Sequence, residues 1–169
     1  ANSGLEQVYR GLYTISREEQ KHKESIAWAH KWIRIPSDNQ ESAWKQAQLA
    51  NKLKDLRSLQ KVTRILINLD SQKAIIALQW CIKHLLIAEE WEEAYKTIKK
   101  LKGMDNDTDL TRAYEALCII ESQRIPPREK IRQISRLGIG ELNSQNKIYK
   151  IIQARYLYEQ GEESNILKI

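Results

Sequence analysis

Residues 72–102, QKAIIALQWCIKHLLIAEEWEEAYKTIKKLK, hold two runs of apolar residues at helical spacing. Leu78, Cys81, Ile82 and Leu85 recur at steps of three and four, which puts them on one stripe of an α-helix. Trp91, Ala94, Ile98 and Leu101 repeat the pattern a few residues later. Only Ala88-Glu89-Glu90 separates the two runs, a length that fits a tight turn. Glu89, Glu90, Glu92 and Glu93 precede Lys96, Lys99, Lys100 and Lys102, placing acid at the helix start and base at its end, as the helix dipole favours. The stretch therefore predicts a hairpin of two amphipathic helices, 72–88 and 90–102, with the lysine cluster on a solvated face.

The same hairpin recurs on both sides of this stretch. Apolar residues followed by breakers or turn formers lie at Ile35-Pro36, Leu69-Asp70, Met104-Asp105 and Ile139-Gly140, at steps of 34, 35 and 35. A fixed period of this size marks stacked supersecondary units. The helical patterns are 4–15 (Leu5, Val8, Tyr9, Leu12, Tyr13), 17–34 (Ile26, Ala29, Ile33), 39–54 (Ala43, Ala47, Ala50), 57–69 (Leu59, Val62, Leu66), 109–123 (Ala113, Leu117, Ile120) and 127–137 (Ile131, Ile134, Leu137). Start signals agree: Asp38 is placed to cap the third helix, Thr108 precedes Asp109 and Thr111, and Pro126-Pro127 opens the eighth. Helix 144–159 begins a last unit that stops at Ile169 and leaves Ile166, Leu167 and Ile169 without partners. The expected organisation is one domain, 1–169, with repeats 3–36, 37–70, 71–104, 105–139 and an incomplete 140–169. The start at Ala1 without Met and the truncated last repeat suggest a piece cut from a longer protein.

Composition supports this and excludes alternatives. Six Gly and 3 Pro in 169 residues are too few for collagen, glycine-rich nucleotide loops or a many-turned β-sandwich. The two cysteines, Cys81 and Cys118, cannot form a disulfide framework, read as small core hydrophobes and favour an intracellular compartment. No membrane span and no leader peptide are expected. The localisation expected is cytoplasmic, with the nucleus as the alternative.

The starts of the second helices give a family resemblance. Glu89-Glu90-Trp91-Glu92-Glu93-Ala94 resembles the turn of the tetratricopeptide repeat, with an aromatic residue three before a small buried one, and Gly161-Glu162-Glu163 resembles the same turn with its glycine kept. Ala47 and Ala154 resemble the family's small residues where paired helices approach closely. Val62, Ala94, Ile131 and Ile166 are spaced by 32, 37 and 35, and the full Trp-Leu-Gly-Tyr signature is absent from every repeat. The resemblance covers nearly the whole chain. It implies an all-α, right-handed solenoid of antiparallel helical hairpins, about 4.5 repeats long, whose first helices line a concave groove for a peptide or a partner's helix.

Catalytic and metal signatures are lacking. Glu19-x-x-His22 is half of a carboxylate-bridged di-metal site and has no second copy; His22 and His30 lie two helical turns apart. Cys81 and His84 share a helix without a third orienting group. No phosphate loop, Gly-x-Ser-x-Gly or zinc spacing occurs, so no enzyme, cofactor or metal is expected.

Binding residues are easier to nominate. All 12 aromatics are Trp or Tyr, which carry a polar atom and suit interfaces. Trp28 and Trp32 share a face expected to pack between repeats, and Trp91 reads as a wedge within its own repeat. If Ala43, Ala47 and Ala50 face the core, Trp44 points beside them with Gln48 and Asn51 on its stripe; equivalent phasing adds Gln79, Lys83, Tyr114 and Arg155. These seven are the candidate partner-binding residues. The lysine–asparagine pattern of tetratricopeptide groups that clamp a terminal carboxylate is missing, since 4–15 has neither residue and 72–88 has no Asn.

The net charge is +6, from 12 Lys/Arg against 8 Asp/Glu in 1–70, 8 against 9 in 71–125 and 8 against 5 in 126–169. The expected function is a non-enzymatic scaffold holding a peptide, helix or neighbouring subunit. The alternative is a basic helical-repeat module binding RNA or DNA, and self-association through the incomplete last repeat is a further expectation.

Overall fold

The computed structural model describes residues 3–138. Among these residues the chain forms α-helices and no strand: α1 Ser3–Glu18, α2 His22–Trp32, α3 Gln40–Lys52, α4 Leu56–Leu69, α5 Ser71–Ile87, α6 Trp91–Lys102, α7 Asp109–Glu121 and α8 Pro127–Arg136. The expected helix 144–159, the partial repeat 140–169, and the residues Arg155, Ala154, Gly161 and Ile166 lie outside the described residues. The chain divides into two compact units, Ala1–His84 and Leu85–Ile169, each taken by itself below.

Three boundaries differ clearly from the sequence reading. The largest difference is in the second helix, expected over 17–34, which runs only His22–Trp32 because left-handed Gln20 turns the chain and Lys21 N–H closes on the Ser16 carbonyl. α1 continues to Glu18 because the buried Ser16 hydroxyl donates to the Leu12 carbonyl, so a polar residue stays inside the helix. The cap of α3 is Asn39 rather than Asp38: Asn39 has extended backbone and its Oδ1 accepts from Ser42 N–H at 3.1 Å. Asp55, Asp70 and Thr108 do the same for α4, α5 and α7, accepting from Ser58, Lys73 and Thr111 N–H.

The repeat is most regular in the backbone of its turns. Gln20, Lys54 and Glu89 take left-handed φ values of 57°, 57° and 58°, at steps of 34 and 35 residues. In each turn the next N–H donates to a carbonyl five residues back: Lys21 to Ser16, Asp55 to Ala50 and Glu90 to Leu85, at 2.8 to 2.9 Å. This closure satisfies carbonyls that the ending helix would otherwise orphan. It needs a left-handed residue, and none of the three is glycine.

In the first unit α1 packs on α2, α2 on α3 and α3 on α4. Ala43, Ala47 and Ala50 are fully buried, so α3 meets its neighbours on a flat small-residue face, while Leu59, Val62 and Leu66 supply the opposing bulk from α4. Trp32 is fully buried in its own hairpin, against Tyr13 (rings 5.4 Å apart), and its Nε1–H donates to buried Glu6 at 2.6 Å. Trp28 stacks on Tyr9 at 6.0 Å, so the expected packing between repeats is largely packing within the first hairpin. Leu49 of α3 and Leu53 just after it add the contact to the next repeat.

Gln46 is the least anticipated core residue. It is fully buried, its Oε1 accepts from Ser37 N–H at 2.9 Å, and its Nε2 donates to the carbonyls of Trp32 and Ile35 at 3.0 and 2.8 Å. One amide thereby satisfies three backbone groups of the α2–α3 connection, each of which would be costly if buried alone.

In the second unit α6 packs on α7 and α7 on α8, around Ala113, Ala116, Ile119, Ile120 and Ile134. Its polar centre is Glu115, 1% exposed on α7. Lys99 Nζ lies 2.6 Å from Glu115 Oε1 and Lys102 Nζ 2.8 Å from Oε2; Lys102 also reaches Asp107 at 3.3 Å, which Arg112 pairs from its other side. The lysine run is thus only partly the solvated face expected from its dipole-friendly position: two of its members hold a buried carboxylate of the next helix.

Candidate partner-binding site

The first unit brings α3 and the 71–84 part of α5 together through side chains nominated in the sequence and two that were not. Trp44 is half-buried, and its indole stacks on that of Trp80 with ring centroids 5.3 Å apart and planes 17° from parallel. One heptad further along α3, Asn51 Oδ1 lies 2.9 Å from His84 Nε2, a hydrogen bond that the Nε2–H tautomer donates. Ring stacking and hydrogen bond tie the two first helices at points about two turns apart on α3. Gln48, between them on the Trp44 stripe, is exposed, and so is Lys83 beside His84; Gln79 is half-buried next to Trp80 in sequence.

Trp80 and His84 are absent from the sequence nomination. Their signal was available in the spacing: Trp80 follows Trp44 by 36 residues and His84 follows Asn51 by 33, each close to the repeat length. Tyr114 lies on α7 in the second unit, half-buried, where desolvation pushes its hydroxyl above the usual tyrosine range.

The chemistry of this face is that of contact. Cys81, just behind it on α5, is buried with Thr63 Oγ1 at 3.7 Å, and burial pushes its thiol up to about 11. Cys118 in the second unit is pushed up to about 12, first by burial and then by the Glu115 charge. Both thiols stay protonated at neutral pH, the opposite of what a nucleophilic cysteine needs. Among the described residues no three His, Cys, Asp or Glu side chains converge as metal ligands, and no helix is long and apolar enough to cross a membrane.

Charge follows the division into units. Residues 1–84 carry 14 Lys/Arg against 8 Asp/Glu, whereas residues 85–169 carry 14 of each. The whole formal excess of +6 therefore belongs to the unit that contains the Trp44–Trp80 pair.

No family model and no curated protein matches the chain. Among solved structures it is similar to "MamA 41-end from Desulfovibrio magneticus RS-1", at a TM-score of 0.61 and 12% identity, over 99% of this chain and 92% of that one. At that identity the likeness shows the fold, which is the all-α, tetratricopeptide-like helical-repeat class.

Proposed function

We propose that the chain is a non-enzymatic interaction scaffold that holds a peptide, a helix or a neighbouring subunit, and that it serves as part of a larger protein. Its five repeats, 3–36 to 140–169, would form one helical-repeat domain. The observation that carries the reading is the Trp44–Trp80 stack, backed by the Asn51–His84 hydrogen bond, with Gln48 and Lys83 exposed beside them. Two indoles already packed on each other lose little freedom when a partner covers them, which is how a preformed aromatic anchor gains affinity. Gln79 belongs to the same proposed face; Tyr114 and Arg155 would extend it along the array, and 140–169 would offer the self-association surface. An intracellular setting, cytoplasmic or nuclear, is supported by two buried free thiols.

The test is affinity purification of the full-length protein with nuclease treatment, beside Trp44→Ala. Protein partners that survive nuclease and drop about tenfold or more with Trp44→Ala, a hot-spot-sized loss, support the scaffold. The excess charge of residues 1–84 favours a second reading, RNA or DNA binding. Under it, binding would vanish with nuclease, collapse steeply with salt and fall on removal of lysines, while Trp44→Ala would matter little.

A further inference from the structure

The second unit contains a cavity of about 230 Å³ between the start of α6 and the end of α7, independent of the face described above. Trp91 and Tyr95, one helical turn apart on α6, line it together with Ile125 of the α7–α8 connection. Cys118 and Ser122, also one turn apart at the end of α7, line it too.

Size and wall chemistry restrict the occupant. An apolar cavity of roughly 150 Å³ accepts benzene, so one half as large again suits a bicyclic ring such as indole. Cys118 is buried and protonated, with no reactive thiolate to offer, and it presents a soft sulfur to a ring. The charged groups of the lining are exposed to solvent. Arg124 Nε reaches Glu92 Oε1 at 2.6 Å, tying the connection to α6, and Lys96 stands one turn beyond Glu92. Arg124 and Lys96 are 80% and 73% exposed, so both can turn toward a ligand without unfolding anything. Lys96 pairs with Glu93 at 3.4 Å, an exposed contact that a ligand can displace. The lining itself carries two cations and one anion around an apolar interior, a charge that complements a single carboxylate.

We propose that this cavity binds a planar aromatic ring bearing one carboxylate, with the ring between Trp91, Tyr95 and Ile125 and the carboxylate at Lys96 and Arg124. The same chemistry is presented by a free aromatic acid and by the C-terminal aromatic residue of a peptide.

The full chain, labelled with ¹⁵N, would be titrated with indole-3-acetate, indole and tryptamine. A second pair of titrations would use a tetraglycyl-tryptophan peptide with its carboxylate free and amidated. The expected result is movement of the Trp91 and Ser122 signals, with indole-3-acetate binding up to about fivefold more tightly than indole, as one exposed ion pair allows. Tryptamine should bind least tightly. Binding by the acid alone identifies a small-molecule site, and tighter binding by the free-carboxylate peptide identifies a C-terminus site. Ser122→Trp should fill the cavity and abolish binding. Lys96→Glu, an exposed change that leaves the fold intact, should reverse the order of acid and amine. Unmoved Trp91 and Ser122 signals at millimolar indole-3-acetate, equal affinity for tryptamine, or an order indifferent to Lys96→Glu would each overturn the proposal.

Discussion

The two units solve the problem of buried polarity in opposite ways. In residues 4–84 the interior is satisfied mainly by neutral groups: Gln46, Ser37, Ser42, Ser58 and Thr63 are all buried, with Glu6 the one buried acid of the unit. Of its 14 cations only Lys21 and Lys73 enter ion pairs among the described residues. In the second unit Glu115 is buried, and among the described residues Lys96, Lys99, Lys102, Arg112, Arg124 and Arg132 all pair with acids. Lys99 and Lys102, which hold Glu115, are not available to a partner, whereas Lys96, Arg124 and Arg132 are paired at the surface and stay exposed. Formal charge is therefore a poor guide to free surface charge: in the neutral unit two cations hold a buried carboxylate and four more are matched by acids at the surface, whereas the basic unit leaves most of its own facing water.

The sharpest way to break that contrast is to strip Glu115 of its lysines. Lys99→Met with Lys102→Met leaves a buried carboxylate unpaired, and about 3–5 kcal/mol of stability should be lost from the second unit. Urea unfolding read separately at probes in each unit checks it; an equal loss in both would show that the division by charge use is false. The counterpart in the first unit is Gln46→Ala, which orphans Ser37 N–H and the carbonyls of Trp32 and Ile35 and should cost about 1–3 kcal/mol. A midpoint unchanged by this substitution would mean that water replaces the amide easily, and that neutral satisfaction is not the first unit's device.

A gain is expected where the units are alike. Lys54→Gly in the first and Glu89→Gly in the second relieve left-handed backbone at equivalent turns, and each should stabilise by about 1 kcal/mol. Thermal unfolding of the single and double variants would show whether the gains are equal and additive. Acidification should have the smallest effect. In Asp70 the N–H of Lys73 is the largest influence and holds the carboxyl low; in Asp107 burial pushes upward but Arg112 and Lys102 outweigh it. A depressed carboxyl stabilises the fold above its unfolded value near 3.8, and that contribution disappears as pH falls through the lower folded value. Both units should therefore weaken only below about pH 4; hydrogen exchange at descending pH that showed one unit failing well before the other would contradict this.

The fold was largely legible because helical periodicity and repeat spacing are properties of many residues at once. Leu59, Val62 and Leu66 could face only one way, and they do. Left-handed turns were illegible because Gln20, Lys54 and Glu89 carry no glycine to advertise them; the repeat is kept in dihedral angles rather than in residue types. Half of the Trp44 site escaped for a related reason. Trp44 was found by its own helix phasing, but Trp80 and His84 become visible only when α3 and α5 are laid side by side with the repeat offset. Lys99 and Lys102 were misread because charge order along a helix reports the dipole and says nothing of what the next helix presents. Gln46 could not be found at all, since a glutamine on a helix is ordinarily solvent-facing and its three partners lie in an irregular connection.

That glutamine also sets how the first unit comes apart. In a stacked array, stability divides into what each repeat holds alone and what adjoining repeats hold jointly. Gln46 sits on α3, in the second repeat, while the carbonyls of Trp32 and Ile35 belong to the first. Its bonds thus enter the joint share, and the two hairpins should fray as one cooperative block, with the α2–α3 connection exchanging its amide protons only when α3 itself opens.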